Sequence, residues 1–181
     1  LISDFEDGNI DVLVGTQMVT KGLDFDNVSV VGILNADNML NFPDFRAFER
    51  SYQLMSQVSG RAGRKAKRGK VLIQTYEPYH PIIRQVIEHD YIGMYNDEIV
   101  QRKKFKYPPF QRVIHFTLKH RDRDVLNEGA REFTDALKVK FGERVLGPDF
   151  PVIARIKNLY HKNTMLKVER EISVNKTREL I

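Results

Sequence analysis

The sequence predicts an α/β fold whose first part contains a parallel sheet, and three observations support this. Two β-branched runs, residues 28–34 and 71–76, have the continuous apolar character of strands that are covered on both faces. A shorter run at residues 11–16 has the same character. A stretch with helical spacing, residues 45–64, separates the second run from the third, and such helical connections are typical of parallel strands.

Polar residues directly follow two of these predicted strands. Residues 15–17 end the first strand, and residues 35–37 follow the second. Ligands of open parallel sheets bind beyond the carboxyl ends of the strands. We therefore expect both groups of polar side chains to lie on one rim of the sheet.

Two proline-containing segments predict the division of the chain into domains. Residues 77–81 and 107–110 each contain two prolines, which oppose helix formation and hold the chain extended. We predict a lobe at residues 1–78, a helical connector at 79–110 and a small, incomplete α/β domain at 111–181.

The spacing of apolar residues predicts separate helices and strands for the connector and for the last domain. The connector is predicted as one helix over residues 82–104, with apolar contacts at Ile83, Val86, Ile87, Tyr91, Met94 and Ile99. The last domain is predicted to be a small α/β domain, and its first helix begins at a cap formed by Asp122 or Asp124. Its strands are predicted at 113–118, at 145–146, and in a hairpin of 152–160 and 165–171 that turns at 161–163, before a terminal helix at 173–181.

Composition narrows the possible function classes. The 181 residues contain no cysteine, so the chain has no disulfide, thiol nucleophile or cysteine-ligated metal, and we predict no metal site in these residues. The formal net charge of +5 fits a nucleic-acid partner. No apolar run approaches the length of a membrane span, so we expect no membrane contact and a cytoplasmic location. Because residue 1 is Leu and the chain stops within a predicted helix, we expect a piece of a longer protein.

The stretch QVSGRAGR at residues 57–64 is the strongest candidate for chemistry. Helical spacing places Gln57, Arg61 and Arg64 on one stripe with Arg50 and Leu54, while Phe48, Tyr52, Met55 and Ala62 form the predicted buried side. Arginines beside glycines can approach a polyanion closely and form forked hydrogen bonds to phosphate oxygens. The alternative for this stretch is a basic helix end with a glycine stop.

The stretch GTQMVTKGLDF at residues 15–25 resembles motif V of the superfamily 2 helicases, and residues 57–64 resemble motif VI of the same enzymes. The segments LNAD at 34–37 and DFRAFER at 44–50 narrow the resemblance to the bacterial primosomal replication-restart helicases. The segments YPPF at 107–110 and LGP at 146–148 resemble landmarks of the last domain of that family. The resemblance implies that residues 1–78 are part of a RecA-like second lobe, with the parallel sheet of P-loop NTPases.

The resemblance also implies roles for individual residues. Arg61 and Arg64 would act as arginine fingers on the γ-phosphate of ATP, and Gln57 would position that phosphate or the attacking water. Gly22 would contact the nucleotide, and Asp24 would bond the ribose of the nucleotide or link to motif VI, although Asp24 can equally cap the loop before Val28. The residues assigned to DNA binding are Thr16, Gln17, Lys21, Lys67 and Arg68. Lys21 and the basic loop at 64–70 have a solvated surface as their alternative.

The same resemblance implies cofactors and partners for a parent protein. It would be an ATP- and Mg²⁺-dependent 3′→5′ DNA helicase that recognises stalled forks and starts primosome assembly. Its partners would be forked and single-stranded DNA, other primosome proteins and single-stranded DNA-binding protein, and it would act as a monomer. These residues contain no G-x-x-x-x-G-K-[ST] loop, so half of the ATP site and a zinc-binding cysteine-rich insertion would lie upstream. We expect the fragment alone to be inactive.

Two other interpretations of the residues stay open. A different superfamily 2 translocase, such as a fork-reversal helicase, would share both motifs and have a different tail. A non-catalytic DNA-binding or adaptor module would keep the lobe only as a scaffold. In the tail, a cluster of cations near the predicted hairpin permits single-stranded DNA binding or serves as protection of an edge strand. The members of this cluster are Arg155, Lys157, His161, Lys162 and Lys167, and Tyr160 beside them could stack on a base.

Overall fold

A computed structural model describes residues 2–16, 28–60 and 69–181, and the chain divides into two units, Leu1–Glu98 and Ile99–Ile181. The first unit begins with a short helix, α1 (Ile2–Glu6). Two strands follow, β1 (Val30–Ile33) and β2 (Lys70–Ile73), and they pair in parallel with Ile33 opposite Ile73. The predicted parallel α/β arrangement is therefore confirmed for this pair. The finer division at residues 78 and 110 stays a prediction about domain organisation.

The strand predicted at residues 11–16 is not formed. Val12 and Val14 are 71% and 81% exposed, and the segment has no regular structure. A strand gains stability only when a neighbour completes its hydrogen-bond ladder, and among the described residues of this unit β1 pairs only with β2. Apolar character alone was therefore a misleading signal here.

The helix that contains the first residues of the candidate motif is α3 (Ala47–Ser59), which follows the one-turn helix α2 (Asp37–Leu40). It is shorter than the predicted helix of residues 45–64, since it ends at Ser59, and residues 61–64 lie outside the described ranges. Its buried stripe contains Ala47, Ser51, Tyr52 and Met55. Phe48 was wrongly predicted on this side, since it is 38% exposed and its ring lies against the ring of His80 at 5.2 Å. The small side chains of Ala47 and Ser51 allow close packing on the core, so the buried stripe is shifted by less than one residue and still contains the predicted Tyr52 and Met55.

The predicted connector helix is two helices, α4 (Pro81–Glu88) and α5 (Tyr91–Lys104). His89 has a φ of 55°, and this left-handed conformation ends α4. The Asp90 carboxylate then accepts a hydrogen bond from the Gly93 amide at 2.8 Å near the start of α5. Because the break divides the predicted helix, residues before and after it no longer share one helix face. Ile82, Ile83, Val86 and Met94 are buried, whereas the predicted contacts Ile87 and Tyr91 are exposed.

The second unit is a helix packed on an antiparallel sheet. Its elements are β3 (Gln111–His120), α6 (Arg123–Phe141), β4 (Val145–Asp149), β5 (Arg155–Ile156), β6 (Leu159–Glu169) and α7 (Val174–Leu180). The strand order is β3-β6-β4, and β5 pairs with β6. Leu137 and Phe141 of α6 form a core with Val145, Leu166 and Val168. Asp122 is the cap of α6, as one of the two predicted alternatives, because its carboxylate accepts from the Asp124 and Val125 amides.

The predicted hairpin turn at residues 161–163 is wrong. The chain turns at Lys157 and Asn158, whose φ values of 49° and 63° are those of a two-residue hairpin loop. Residues 161–163 lie inside β6 and pair with residues 117–119 of β3. The pairing of β6 with β3 spans a long sequence separation, so that no local pattern could reveal which residues were strand and which were turn.

Candidate functional site

The carboxyl ends of β1 and β2 are joined by a polar rim. The Ala36 amide donates to the Gln74 carbonyl at 3.0 Å, and the Gln74 amide donates to the Ile33 carbonyl at 2.9 Å. Asn35 has a φ of 53°, a conformation that asparagine tolerates better than most residues. The polar residues after β1 therefore lie beside those after β2, at the edge where ligands of parallel sheets bind.

Asp37 is the acceptor at the centre of this rim. Its carboxylate accepts from the Thr75 hydroxyl at 2.7 Å and from the Tyr76 amide at 3.1 and 3.2 Å. The hydrogen bond from Thr75 is the largest cause that lowers the pKa of Asp37 below its ordinary value. The carboxylate is thus held in its ionised form, and α2 is tied to the end of β2.

A second carboxylate, Asp44, connects the loop after α2 to α3. One of its oxygens accepts from the Arg46 amide at 2.8 Å, and the other accepts from Nη1 of Arg50 at 2.9 Å. Glu49 lies beside this pair and accepts from the Arg46 guanidinium at 3.3 and 3.4 Å and from the Gln53 amide group at 3.3 Å. Hydrogen bonding and charge from Glu49 raise the pKa of Arg46. The segment DFRAFER at residues 44–50, on which part of the resemblance rests, therefore forms a network of charged side chains around the first turns of α3.

Gln57 is the described member of the predicted catalytic set, and it is exposed near the end of α3. The helix ends at Ser59, and the Gly60 amide caps it by donating to the Ser56 carbonyl at 3.0 Å. Thr16 is exposed in the irregular segment after α1. The other predicted site residues lie outside the described ranges, namely Gln17, Lys21, Gly22, Asp24, Arg61, Arg64, Lys67 and Arg68.

Two aromatic rings at one end of the sheet of the second unit, Phe150 and Tyr160, make three contacts with cations. The guanidinium of Arg155 lies 5.0 Å from the centre of the Tyr160 ring. The Phe150 ring has Arg123 at 5.2 Å and Lys162 at 4.8 Å. We call Arg123, Phe150, Arg155, Tyr160 and Lys162 the basic–aromatic cluster. Sequence reasoning named Arg155, Tyr160 and Lys162 and missed Phe150 and Arg123, because these two come from segments far from the hairpin.

Lys167 was predicted with this cluster, but the structure places it in another environment. Its ammonium donates to the Phe105 carbonyl at 2.7 Å and lies 3.7 Å from the centre of the Tyr107 ring. Burial lowers the pKa of Lys167, and the nearby charge of Lys106 lowers it further. Lys167 therefore anchors the segment before β3, and this role removes it from the set of free surface cations.

Two searches of the described residues bear on metals and membranes. Residues 2–16, 28–60 and 69–181 contain no group of three or more His, Cys, Asp or Glu side chains that could hold a metal ion. Within the same ranges, no helix is both long enough and apolar enough to cross a membrane.

Comparison with protein families matches both parts of the chain. Residues 1–66 match the family model described as the helicase conserved C-terminal domain. Residues 103–180 match the primosomal protein N C-terminal domain. The first match confirms the predicted RecA-like second lobe. The second favours the primosomal family over another superfamily 2 translocase, which would have a different tail.

Curated relatives resemble the chain along nearly all of its length. The replication restart protein PriA of Bacillus subtilis is 42% identical over 97% of this chain, and that of Synechocystis is 41% identical over 96%. The PriA protein of Treponema pallidum is 41% identical over 90%. The chain spans 22%, 21% and 25% of the length of these three relatives, respectively. With both family models matched in this order, the chain belongs to the PriA family of replication restart proteins and corresponds to its C-terminal region.

Proposed function

We propose that the chain is the C-terminal part of an ATP-dependent 3′→5′ DNA helicase that recognises stalled replication forks and starts primosome assembly. The observation that carries the proposal is the pair of family matches, which occur in this order along the chain. The parallel pairing of β1 with β2 and the polar rim beyond these strands agree with it. The rim and the exposed Gln57 are joined through α2 and α3, so this lobe has a surface on which polar groups are accessible to a ligand. The proposed division of the parent is lobe 1–78, connector 79–110 and tail domain 111–181.

The proposed chemistry is charge stabilisation during phosphoryl transfer. Arg61 and Arg64 would donate forked hydrogen bonds to the oxygens of the transferred phosphoryl group, and Gln57 would orient that group or the attacking water. An arginine in this role typically contributes about 10³–10⁵ in rate. The proposal is supported by the position of Gln57, which is exposed two residues before the helix ends and four residues before Arg61.

ATP with Mg²⁺ fits the donor chemistry of one side of the site. Amide and guanidinium groups suit an anionic phosphate, and Asp24 and Gly22 are proposed on the same side for the rest of the nucleotide. Bound ATP would supply the phosphoryl group whose transfer releases the free energy for translocation. The sequence contains no phosphate-cradling loop, so these residues supply only half of the contacts, and the proposed zinc-binding insertion likewise belongs to other residues of the parent.

DNA contacts are proposed in both units. In the first unit, Thr16, Gln17, Lys21, Lys67 and Arg68 would contact the phosphate backbone. In the second unit, the basic–aromatic cluster supports binding of single-stranded DNA, because cations hold phosphates while a ring such as the exposed Phe150 stacks on a base. Forked DNA, primosome proteins and single-stranded DNA-binding protein belong to the same proposal, as do the monomeric state and a bacterial cytoplasmic location.

The test is the Arg64→Ala variant of the full-length parent, with Arg64→Lys as the matched variant that keeps the charge and loses the fork. ATP hydrolysis is measured with saturating single-stranded DNA. We expect Arg64→Ala to lower kcat by about 10²-fold or more while KM for ATP stays within roughly tenfold. Arg64→Lys should recover only a small part of the lost rate. A near-normal kcat for Arg64→Ala would overturn the finger assignment.

A further inference from the structure

The segment at residues 44–50 is assigned no role by the proposed function. In the structure it forms the charged network around the start of α3. Both oxygens of the Asp44 carboxylate are occupied, one by the Arg46 amide at 2.8 Å and the other by Nη1 of Arg50 at 2.9 Å. The Ala47 amide also donates to the Asp44 carbonyl at 2.9 Å. Asp44 therefore connects the loop before α3 to a side chain one turn inside the helix.

This network replaces an ordinary helix cap. Arg46, the residue at the cap position, forms no capping hydrogen bond through its side chain. Side-chain caps satisfy amides at a helix start but do not determine how far the helix is rotated about its axis. The ion pair from Asp44 to Arg50 constrains this rotation, because Arg50 lies on the exposed flank of α3, outside the buried stripe of Ala47, Ser51 and Met55. The hydrophobic core contacts the buried stripe of α3, and Asp44 contacts Arg50 on its exposed flank.

The rotation of α3 about its axis matters because the proposed catalytic residue Gln57 lies on its exposed face. Arg50 and Gln57 are seven residues apart, so they lie on the same face of the helix and are separated by about 10 Å along it. A rotation of 10° moves a side-chain end that lies about 6 Å from the axis by about 1 Å. A displacement of that size in a catalytic group can lower a rate by about 10²-fold.

The loop that contains Asp44 is itself held to the sheet. It follows α2, where Asp37 accepts hydrogen bonds from Thr75 and Tyr76 at the end of β2. Two carboxylates thus connect the rim of the parallel strands to α3 in sequence: Asp37 fixes α2, and Asp44 fixes the start of α3. The orientation of Gln57 therefore depends on contacts that begin at the polar rim beyond β1 and β2.

We propose that Asp44 and Arg50 are positioning residues for ATP hydrolysis, acting through the rotation of α3 that directs Gln57. This inference rests on the proposed function and adds to it residues that do not contact the nucleotide. Glu49, with Arg46 and Gln53, supports the same turn of the helix.

The test uses the full-length parent with Asp44→Ala and Arg50→Met, the second of which leaves the bond from Asp44 to the Arg46 amide intact. We expect each to lower kcat for DNA-stimulated ATP hydrolysis by about tenfold, while KM for ATP and DNA affinity stay within about threefold. Arg50→Lys, which keeps a cation within reach of Asp44, should recover most of the rate. Arg84→Ala is the matched control, since it removes an exposed ion pair with Glu88 at 4.0 Å on α4 and should leave kcat unchanged.

The outcomes separate this inference from the proposed function. If Arg64→Ala is slow and Arg50→Met is normal, the positioning role is wrong and the finger assignment stands. If both variants have normal kcat, the proposed function fails as well. If Asp44→Ala does not fold, Arg50→Met with the Arg50→Lys recovery decides the matter. Equal losses of kcat in Arg50→Met and Arg84→Ala would also overturn the inference, because that would indicate general destabilisation.

Discussion

The Thr75 hydroxyl donates a hydrogen bond of 2.7 Å to the carboxylate of Asp37, a residue 38 positions earlier in the chain. Thr75 follows β2 and Asp37 follows β1, so the bond closes the carboxyl ends of the two parallel strands. The Tyr76 amide donates to the same carboxylate. This arrangement makes Asp37 the link between the sheet and the helices that follow it.

We expect the pKa of Asp37, followed by the carboxyl ¹³C shift in the 181-residue chain, to lie below its ordinary value of 3.8. Because the folded pKa is lower than the unfolded one, the stabilisation is present above about pH 4 and is lost as the pH falls through the folded pKa. Asp37→Asn should therefore lower the melting temperature at pH 7 and make little difference at about pH 2. Thr75→Val should raise the Asp37 pKa, since it removes the main donor. A pKa at or above 3.8 in the unaltered chain would contradict the assignment.

Gly147 in β4 is a position where a side chain cannot be accommodated. Its φ is 105°, and a Cβ there would lie 2.8 Å from the Asn163 carbonyl oxygen of β6. We expect Gly147→Ala to reduce the unfolding free energy of the second unit by about 2–4 kcal/mol, measured by urea denaturation. The matched control is Gly129→Ala in α6, where a Cβ would meet nothing within 4 Å. That change should stabilise by about 0.5–1 kcal/mol, and equal effects of the two would refute the explanation.

Thr134 of α6 and Thr164 of β6 form a buried pair whose hydroxyl oxygens are 2.7 Å apart. Replacing one by valine leaves the other hydroxyl buried without its partner. Each single substitution should therefore cost about 1–3 kcal/mol in unfolding free energy, while the double substitution should be close to neutral. A double-mutant cycle by denaturant unfolding measures this coupling. Strictly additive losses would mean that each hydroxyl has another partner.

We expect the 181-residue chain to bind single-stranded DNA weakly and without sequence preference, through the basic–aromatic cluster. Fluorescence anisotropy over a salt series should give a slope of about −0.7 in log K against log salt for each phosphate neutralised. Arg123→Ala with Lys162→Ala should flatten this slope by about one unit, and Phe150→Ala should weaken binding with little change in slope.

The control variants for DNA binding test whether DNA binds instead at the basic loop of residues 64–70. Lys138→Ala, an exposed cation on α6, should have no effect beyond its small share of the net charge. If Lys67→Ala with Arg68→Ala flattens the slope and the cluster variants do not, DNA binds at the basic loop of the first unit. Undetectable binding at low salt would assign the cluster to another partner.

Features that depend on neighbouring residues in the chain were predictable from the sequence. The apolar runs at β1 and β2 predicted a parallel pair, and Asp122 was one of two predicted caps for α6. The motif at residues 57–64 led to Gln57 on α3 and to the family assignment. These signals are readable because side-chain periodicity, capping and motif spacing act over a few residues.

Only the tertiary structure decided which distant groups meet. Asp37 meets Thr75 across 38 residues, and Phe150 meets both Arg123 and Lys162. The irregular segment at 11–16, the break at His89 and the turn at Lys157 and Asn158 each contradicted a local pattern. The physical reason is the same in every case. An apolar run becomes a strand, and a polar side chain becomes part of a site, only when a partner from elsewhere in the chain completes its hydrogen bonds and covers its surface.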